Sequence, residues 1–209
     1  MTKKLNNSKT TIRQIITDKI ISRVLIIGGM MGLISSFMLT IDKIHVASDP
    51  TFSPNCNLNP VLSCVSVMGS TQSEILGFPN QVIGIIAFSV IISVGVLMYF
   101  TKGFEKRLWQ LLAIGVGLGF LVINWLIIQS VFVLGALCLW CMFTWAGFAP
   151  LAWYSFLYNL ERKYIVLPSR IRSWTQFILN NHLSFLLGWY VIVIGTIIIK
   201  FWYYWKTII

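Results

Sequence analysis

The chain has 209 residues, of which 57% are hydrophobic and only 11% charged. Soluble domains carry roughly 25% charged residues, so this composition excludes an ordinary soluble domain and predicts a polytopic membrane protein. A net charge of +10 suits nucleic acid or a membrane surface, and the placement of the charges decides between them.

Residues 1–19 form a basic N-terminal segment. The first apolar segment, near 20–41, lies within "KIISRVLIIGGMMGLISSFMLTI". About 20 apolar residues cross the hydrocarbon core as a helix. The segment is longer than the apolar core of a cleaved signal peptide, about 7–15 residues. The nearest small-residue pattern, "VAS" at 46–48, makes a poor cleavage site, so a retained span is expected. Residues 42–80 follow as a polar loop holding Cys56 and Cys64. Further spans are predicted near 81–100, 108–130, 135–158 and 184–204, with a tight bend at Gly135. All five are predicted as helices, because backbone groups in lipid must bond within their own segment.

Basic residues set the orientation. Lys3, Lys4, Lys9, Arg13, Lys19 and Arg23 precede or open the first span, and Lys102, Lys106 and Arg107 fill the turn after the second. Arg162, Lys163, Arg170 and Arg172 lie in the 159–183 connection. With alternating spans, 13 of the 16 basic residues share one side, which the positive-inside rule makes cytoplasmic. The C-terminus and the 42–80 loop are then external, and the charge needs no nucleic-acid partner.

The same alternation brings all four cysteines to the outer face, on the side where disulfides persist. Cys138 and Cys141 stand in "CLWC" at the start of the fourth span. Residues three apart share a helix face, and the positive end of the helix favours a thiolate on the leading cysteine. Cys141 falls on the order of 9 Å below Gly135, the depth of a lipid-soluble ring. Three other uses of these residues compete. Cysteine serves as a small packing residue, the loop pair can be a static disulfide, and four thiolates bind zinc. The wide spacing of the first pair argues against zinc, and His45 and His182 add little to such a site. Trp145 shares the face of the cysteines, as a ring-pocket wall or as core. Asn80, at the outer mouth of the second span, needs a polar partner, either a ring oxygen or a helix end. Asn124 and Gln129 are expected to bond neighbouring helices, and the glycines of "GGMMG" (28–32) and "GVGLG" (115–119) to mark close helix packing. Ser and Thr near Cys64 suit the cap of a short helix.

Taken in order, the Cys56 and Cys64 loop pair, Ser70 six residues later, "GFPNQVIG" at 77–84 and "CLWC" at 138–141 resemble the vitamin K epoxide reductase family in its bacterial branch. The resemblance runs from the first span through the fourth. It implies an all-α membrane protein: a four-helix bundle (20–158) around a quinone, ubiquinone or menaquinone, capped by the external loop. The fifth helix (184–209, with a short external C-terminus) would lie outside the bundle. It further implies quinone-linked disulfide formation in a bacterial plasma (inner) membrane, without a metal. In that scheme Cys56 meets the protein partner, Cys64 exchanges with Cys138, and Cys141 passes electrons to the quinone. Asn80 would hydrogen-bond a quinone carbonyl, and Ser70 would lie near the active site. Trp145 stands where vertebrate members usually have tyrosine. The chain ends five residues after the last span, so a separate thioredoxin-fold (DsbA-like) partner is expected. A DsbB-type oxidase runs the same reaction but carries its second pair in an external loop, whereas "CLWC" here opens into a span. The polar surroundings of Cys56, with Pro54 and Pro60, predict that a bulky protein reaches it, and the amphipathic "CVSVMGS" would hold Cys64 over the fourth span.

Overall fold

The computed structural model describes residues 16–49, 51–101, 105–165 and 172–206. Lys3, Lys4, Lys9, Arg13, Lys102 and Arg170 of the charge pattern lie outside the described residues. Helix α1 spans Asp18–Ser48, α2 Cys64–Met68, α3 Asn80–Phe100, α4 Lys106–Ile128, α5 Leu139–Glu161, α6 Arg172–Asn180, α7 His182–Lys200 and α8 Trp202–Trp205. The described residues contain no strand, only an isolated bridge between Leu62 and Leu137.

Helix α1 starts at Thr17, whose hydroxyl oxygen accepts the Ile20 N–H at 3.3 Å. It runs past the predicted end at 41, so Asp42, Lys43 and His45 are helical rather than part of the loop. Its 31 residues measure about 46 Å, more than the roughly 30 Å hydrocarbon core. Helix α4 continues as a π-helical turn, Gln129–Leu134, and stops at Gly135, whose φ of +63° is a left-handed conformation that suits glycine.

Helix α1 packs between α3 and α5. A β-carbon on Gly28 would lie 2.7 Å from the Gly147 carbonyl oxygen, and one on Gly32 would lie 2.3 Å from the Phe88 ring. The "GGMMG" glycines thus permit the close packing expected of them, and the Ser22 hydroxyl adds a 2.7 Å hydrogen bond to the Gly95 carbonyl. Helix α4 instead packs on α5 and makes little contact with α3. "GVGLG" departs from expectation here: a β-carbon at Gly115 or Gly117 would meet nothing within 4 Å, and only Gly119 approaches Phe148. At the end away from the cysteines, Asp18 pairs with Arg162 and accepts the Tyr158 hydroxyl at 2.8 Å, and Trp109 stacks on Tyr158.

Of the described helices, four are long and apolar enough to cross a membrane: α1, α3, α4 with its π turn, and α7. The fourth predicted span, α5, falls short by composition because Trp, Tyr, Thr144 and Pro150 dilute its hydropathy. It is also buried along much of Trp145 to Leu160, and a helix walled by protein needs less lipophilicity than one facing lipid. Helix α7 lies at the periphery, with none of its apolar window buried. It is tied to the bundle by hydrogen bonds from Trp189 Nε1 to Asn124 Oδ1 (3.1 Å) and from the Tyr190 hydroxyl to the Ala146 carbonyl (2.6 Å).

Candidate active site

All four cysteines meet at one end of the bundle. Cys56 and Cys64 form a disulfide, with Cα atoms 5.7 Å apart. Cys138 and Cys141 are free thiols. Cys56, Cys64 and Cys138 are buried together with Leu39 and Met68, and Cys141, Val67 and Trp140 pack against them. Cys138 lies just before α5 rather than inside it, because Leu137 is held extended by the loop. The Leu137 N–H donates to the Val61 carbonyl at 2.7 Å, and the Ser63 N–H to the Leu137 carbonyl at 2.9 Å. These bonds set the residue before Cys138 beside the strand-like stretch that leads into Cys64. The Cys138 sulfur then caps α5 and accepts the Cys141 N–H at 3.4 Å. An N–H aimed at sulfur at a helix start favours negative charge there.

The loop is folded tightly over this cluster. Ser63 caps α2, accepting the Ser66 N–H at 3.2 Å, as the sequence suggested for a hydroxyl near Cys64. Asn59 Oδ1 accepts the N–H groups of Val61 and Leu62 at 3.0 and 2.7 Å. The expectation of an open Cys56 is corrected: its residue exposure is 2%, because α1 and the 59–64 turn cover it despite exposed neighbours such as Leu58. Its sulfur lies 3.7 Å from Asp42 Oδ2 on the extra turns of α1. Asp42 escaped the sequence analysis because those turns were read as loop. An acidic residue 14 positions before a cysteine carries no signal of contact.

Beneath the cysteines, a cavity of about 950 Å³ fills the gap between α3 and α4, with α1 and α5 behind it. It is almost wholly apolar and lies at the upper end of ligand-pocket sizes. Cys141, Trp145, Asn80 and Ser70 all line it. Cys138 is not among the lining residues. Trp145 is 6% exposed and also packs on Val61, Leu137 and Phe201, so it serves as both wall and core. The Asn80 side chain binds the loop: Nδ2 donates to the Gln72 carbonyl at 2.8 Å and Oδ1 accepts the Ile75 N–H at 3.0 Å. One amide proton and one lone pair remain for a ligand. The Ser70 hydroxyl donates to the Val67 carbonyl at 2.7 Å. Gln129 lines the cavity, whereas Asn124 bonds a neighbouring helix as expected. Among the described residues, no group of three or more His, Cys, Asp or Glu is placed to hold a metal ion.

The sequence model of the vitamin K epoxide reductase family matches residues 23–156, from the first turns of α1 nearly to the end of α5. No curated protein matches the chain.

Proposed function

The chain belongs to the vitamin K epoxide reductase family and is a membrane thiol oxidoreductase; from that premise we propose that it reoxidises a separate thioredoxin-fold protein and delivers the electrons to a membrane quinone. The observation that carries this proposal is the packing of two cysteine pairs into one cluster, with Cys141 alone of the four cysteines lining a large apolar cavity. The cavity suits a quinone: it is lipophilic, opens between two membrane helices, and is lined by Gln81, whose buried carboxamide oxygen has no protein partner.

The chain's own residues supply a relay. Once the 59–64 turn covering Cys56 moves aside, a partner thiolate attacks Cys56, Cys64 leaves as a thiolate, and the partner's second thiol resolves the adduct. The partner is oxidised and the loop pair becomes a dithiol. The Cys64 thiolate then attacks Cys138 of a Cys138–Cys141 disulfide, expelling Cys141. Cys56 closes on Cys64, leaving the membrane pair reduced. Asp42, beside the Cys56 sulfur, is placed to take its proton when Cys56 attacks. A bound quinone supplies the acceptor for two electrons and two protons as the Cys138–Cys141 disulfide re-forms. Trp145 walls the ring, Asn80 offers its remaining amide proton to a carbonyl, and Ser70 keeps the loop closed above. The gap between α3 and α4 admits the lipid tail. The proposed setting is a bacterial inner membrane, with the cysteines on the outer side and the N-terminus in the cytoplasm, on the strength of the basic-residue distribution.

The test uses purified protein in lipid nanodiscs with a reduced thioredoxin-fold protein and a short-chain benzoquinone or naphthoquinone. The expected result is one quinone reduced per partner disulfide formed, lost in Cys138→Ala and Cys141→Ala. A partner that stays reduced while quinone is unchanged would overturn the proposal. The orientation is checked by an impermeant maleimide on reduced intact cells. Labelling of Cys56 only after the membrane is breached would reverse it.

A further inference from the structure

Besides Gln72, Gln129, Ser130 and Thr144, two groups of polar side chains line the cavity. Asn80, Ser70 and Ser73 are bound to the loop: Ser73 Oγ, for instance, donates to the Met68 and Ser70 carbonyls at 2.7 Å. Gln81 and Ser36 are not. Gln81 is 7% exposed, its Oε1 is buried without a hydrogen-bond partner, and its amide donates to none of the described residues. Ser36 is also 7% exposed. Ser35, Thr40, Ser89 and Ser93 each donate to the carbonyl four residues back, the usual refuge of a hydroxyl in a membrane helix. The Ser36 hydroxyl makes no such bond, although its own carbonyl accepts from Thr40.

These two side chains share a corner of the cavity. Gln81, Gly84 and Phe88 follow one face of α3 at helical spacing. The Ser36 Oγ lies 2.3 Å from where a Gly84 β-carbon would be. Glycine at 84 therefore lets the α1 hydroxyl reach the α3 surface one turn from Gln81. Ser36 is also one turn, about 4.5 Å, inward of Leu39, and Leu39 packs with the cysteines. The corner thus lies just below the thiols, on the wall opposite α4.

We propose that the Gln81 carboxamide, flanked by the Ser36 hydroxyl, binds a ring oxygen of the quinone; this rests on the cavity being the quinone site. An amide suits both states of such a ring. Its N–H donates to a quinone carbonyl, and its oxygen accepts from the O–H of the reduced ring, the two ends exchanging by rotation about the last side-chain bond. Asn80 lacks that freedom, since both ends of its amide hold the loop. A Gln kept for helix–helix bonding would have a partner on α1, and Gln81 has none.

A buried polar group kept for a ligand weakens the empty protein, and this provides a readout separate from activity. Gln81→Met keeps the length and removes the hydrogen bonding. Thermal unfolding of the purified protein is followed with and without a short-chain benzoquinone. The expected result is a Tm without quinone equal to or above that of the unaltered chain, with a much smaller rise on adding quinone. In turnover, KM for quinone should rise about 2- to 13-fold, while KM for the protein thiol holds. Ser36→Ala should reproduce the pattern more weakly and serves if Gln81→Met does not accumulate. A lower Tm without quinone together with an unchanged quinone KM would make Gln81 a structural residue and overturn the assignment. An unaltered chain that neither binds nor reduces quinone would remove the quinone reading of the cavity, and this assignment with it.

Discussion

The two sides of the bundle are built from similar residues to opposite ends. Where α1 meets α3 and α5, glycines bring backbones so close that a β-carbon would collide with a carbonyl or a ring. On α4, Gly115 borders the cavity with nothing near it, Gly117 faces open space without lining the cavity, and Gly119 meets Phe148. Small residues in a membrane helix are usually read as packing faces. Here one such run is a packing face and the other leaves room for a ligand. The tight side fixes the position of Leu39 and Ser36 on α1 and of Cys141 on α5. The open side holds what those groups are to meet.

The largest effect is expected where the open side carries chemistry. In Cys141→Ala the membrane pair cannot close on itself, so thiol-dependent quinone reduction should fall to background. In Cys56→Ala the Cys64–Cys138 bond should accumulate, since a mixed disulfide persists when its resolving thiol is gone. A partner whose second cysteine is replaced by alanine should be trapped on Cys56. Mass spectrometry of acid-quenched, alkylated protein reads both. A partner found on Cys138 would reduce the loop disulfide to a staple.

The contrast between the two sides is tested directly by a pair of matched substitutions. Gly32→Ala puts a carbon 2.3 Å from the Phe88 ring, and overpacking of that kind costs about 1–3 kcal/mol. Gly115→Ala adds a carbon in open space and should stay within about 0.5 kcal/mol. Thermal unfolding in detergent should therefore show a clear fall in Tm for the first and almost none for the second. Equal falls would mean that α3 and α4 close on each other in the membrane.

This contrast was only partly legible in the sequence. The apolar spans other than α5, the grouping of the cysteines at one end and the short capped helix at Cys64 follow from hydropathy, charge and hydroxyl placement, which are local properties. The pairing of helices is not local. "GGMMG" and "GVGLG" look alike until it is known that α1 is central and α4 stands off. Helix α5 is the reverse case: its aromatic and Pro residues lower its hydropathy because protein, not lipid, surrounds it. The burial of Cys56 was illegible for a related reason. Polar, Pro-rich flanks read as an open loop, while the Leu62–Leu137 bridge that seals it joins residues 75 apart in the chain. Gln81 stood in plain view within "GFPNQVIG", but only the structure separates it from Asn80, whose amide is committed to the loop.

That distinction gives the next effect in size. Asn80→Ala removes two hydrogen bonds that fasten residues 72–75, each contributing about 0.5–1.5 kcal/mol. The lid over the cavity and the cysteine loop are continuous, so its loss should disturb both. Quinone KM should rise about 2- to 13-fold, more than KM for the protein thiol, which should also move. Hydrogen exchange at the Ile75 amide should accelerate. An Asn80→Ala protein with normal quinone KM and fast Ile75 exchange would confine Asn80 to the loop.

The smallest effect is expected at α7, which lies at the periphery of the bundle. Helix α7 has none of its apolar window buried and reaches the bundle through polar contacts such as Trp189 to Asn124. Interhelical hydrogen bonds in membranes average about 0.6 kcal/mol, with a maximum of about 1.7, because the separated helices find other partners. Asn124→Leu should therefore lower Tm only slightly. Quinone reduction should stay nearly unchanged, because Asn124 does not line the cavity even though its neighbours Ile123 and Val122 do. The measurement is Tm and turnover in the same nanodisc preparation used for Gly32→Ala. A fall in Tm as large as that of Gly32→Ala would show that α7 braces α4, so that the width of the open side is set from outside the four-helix bundle rather than within it.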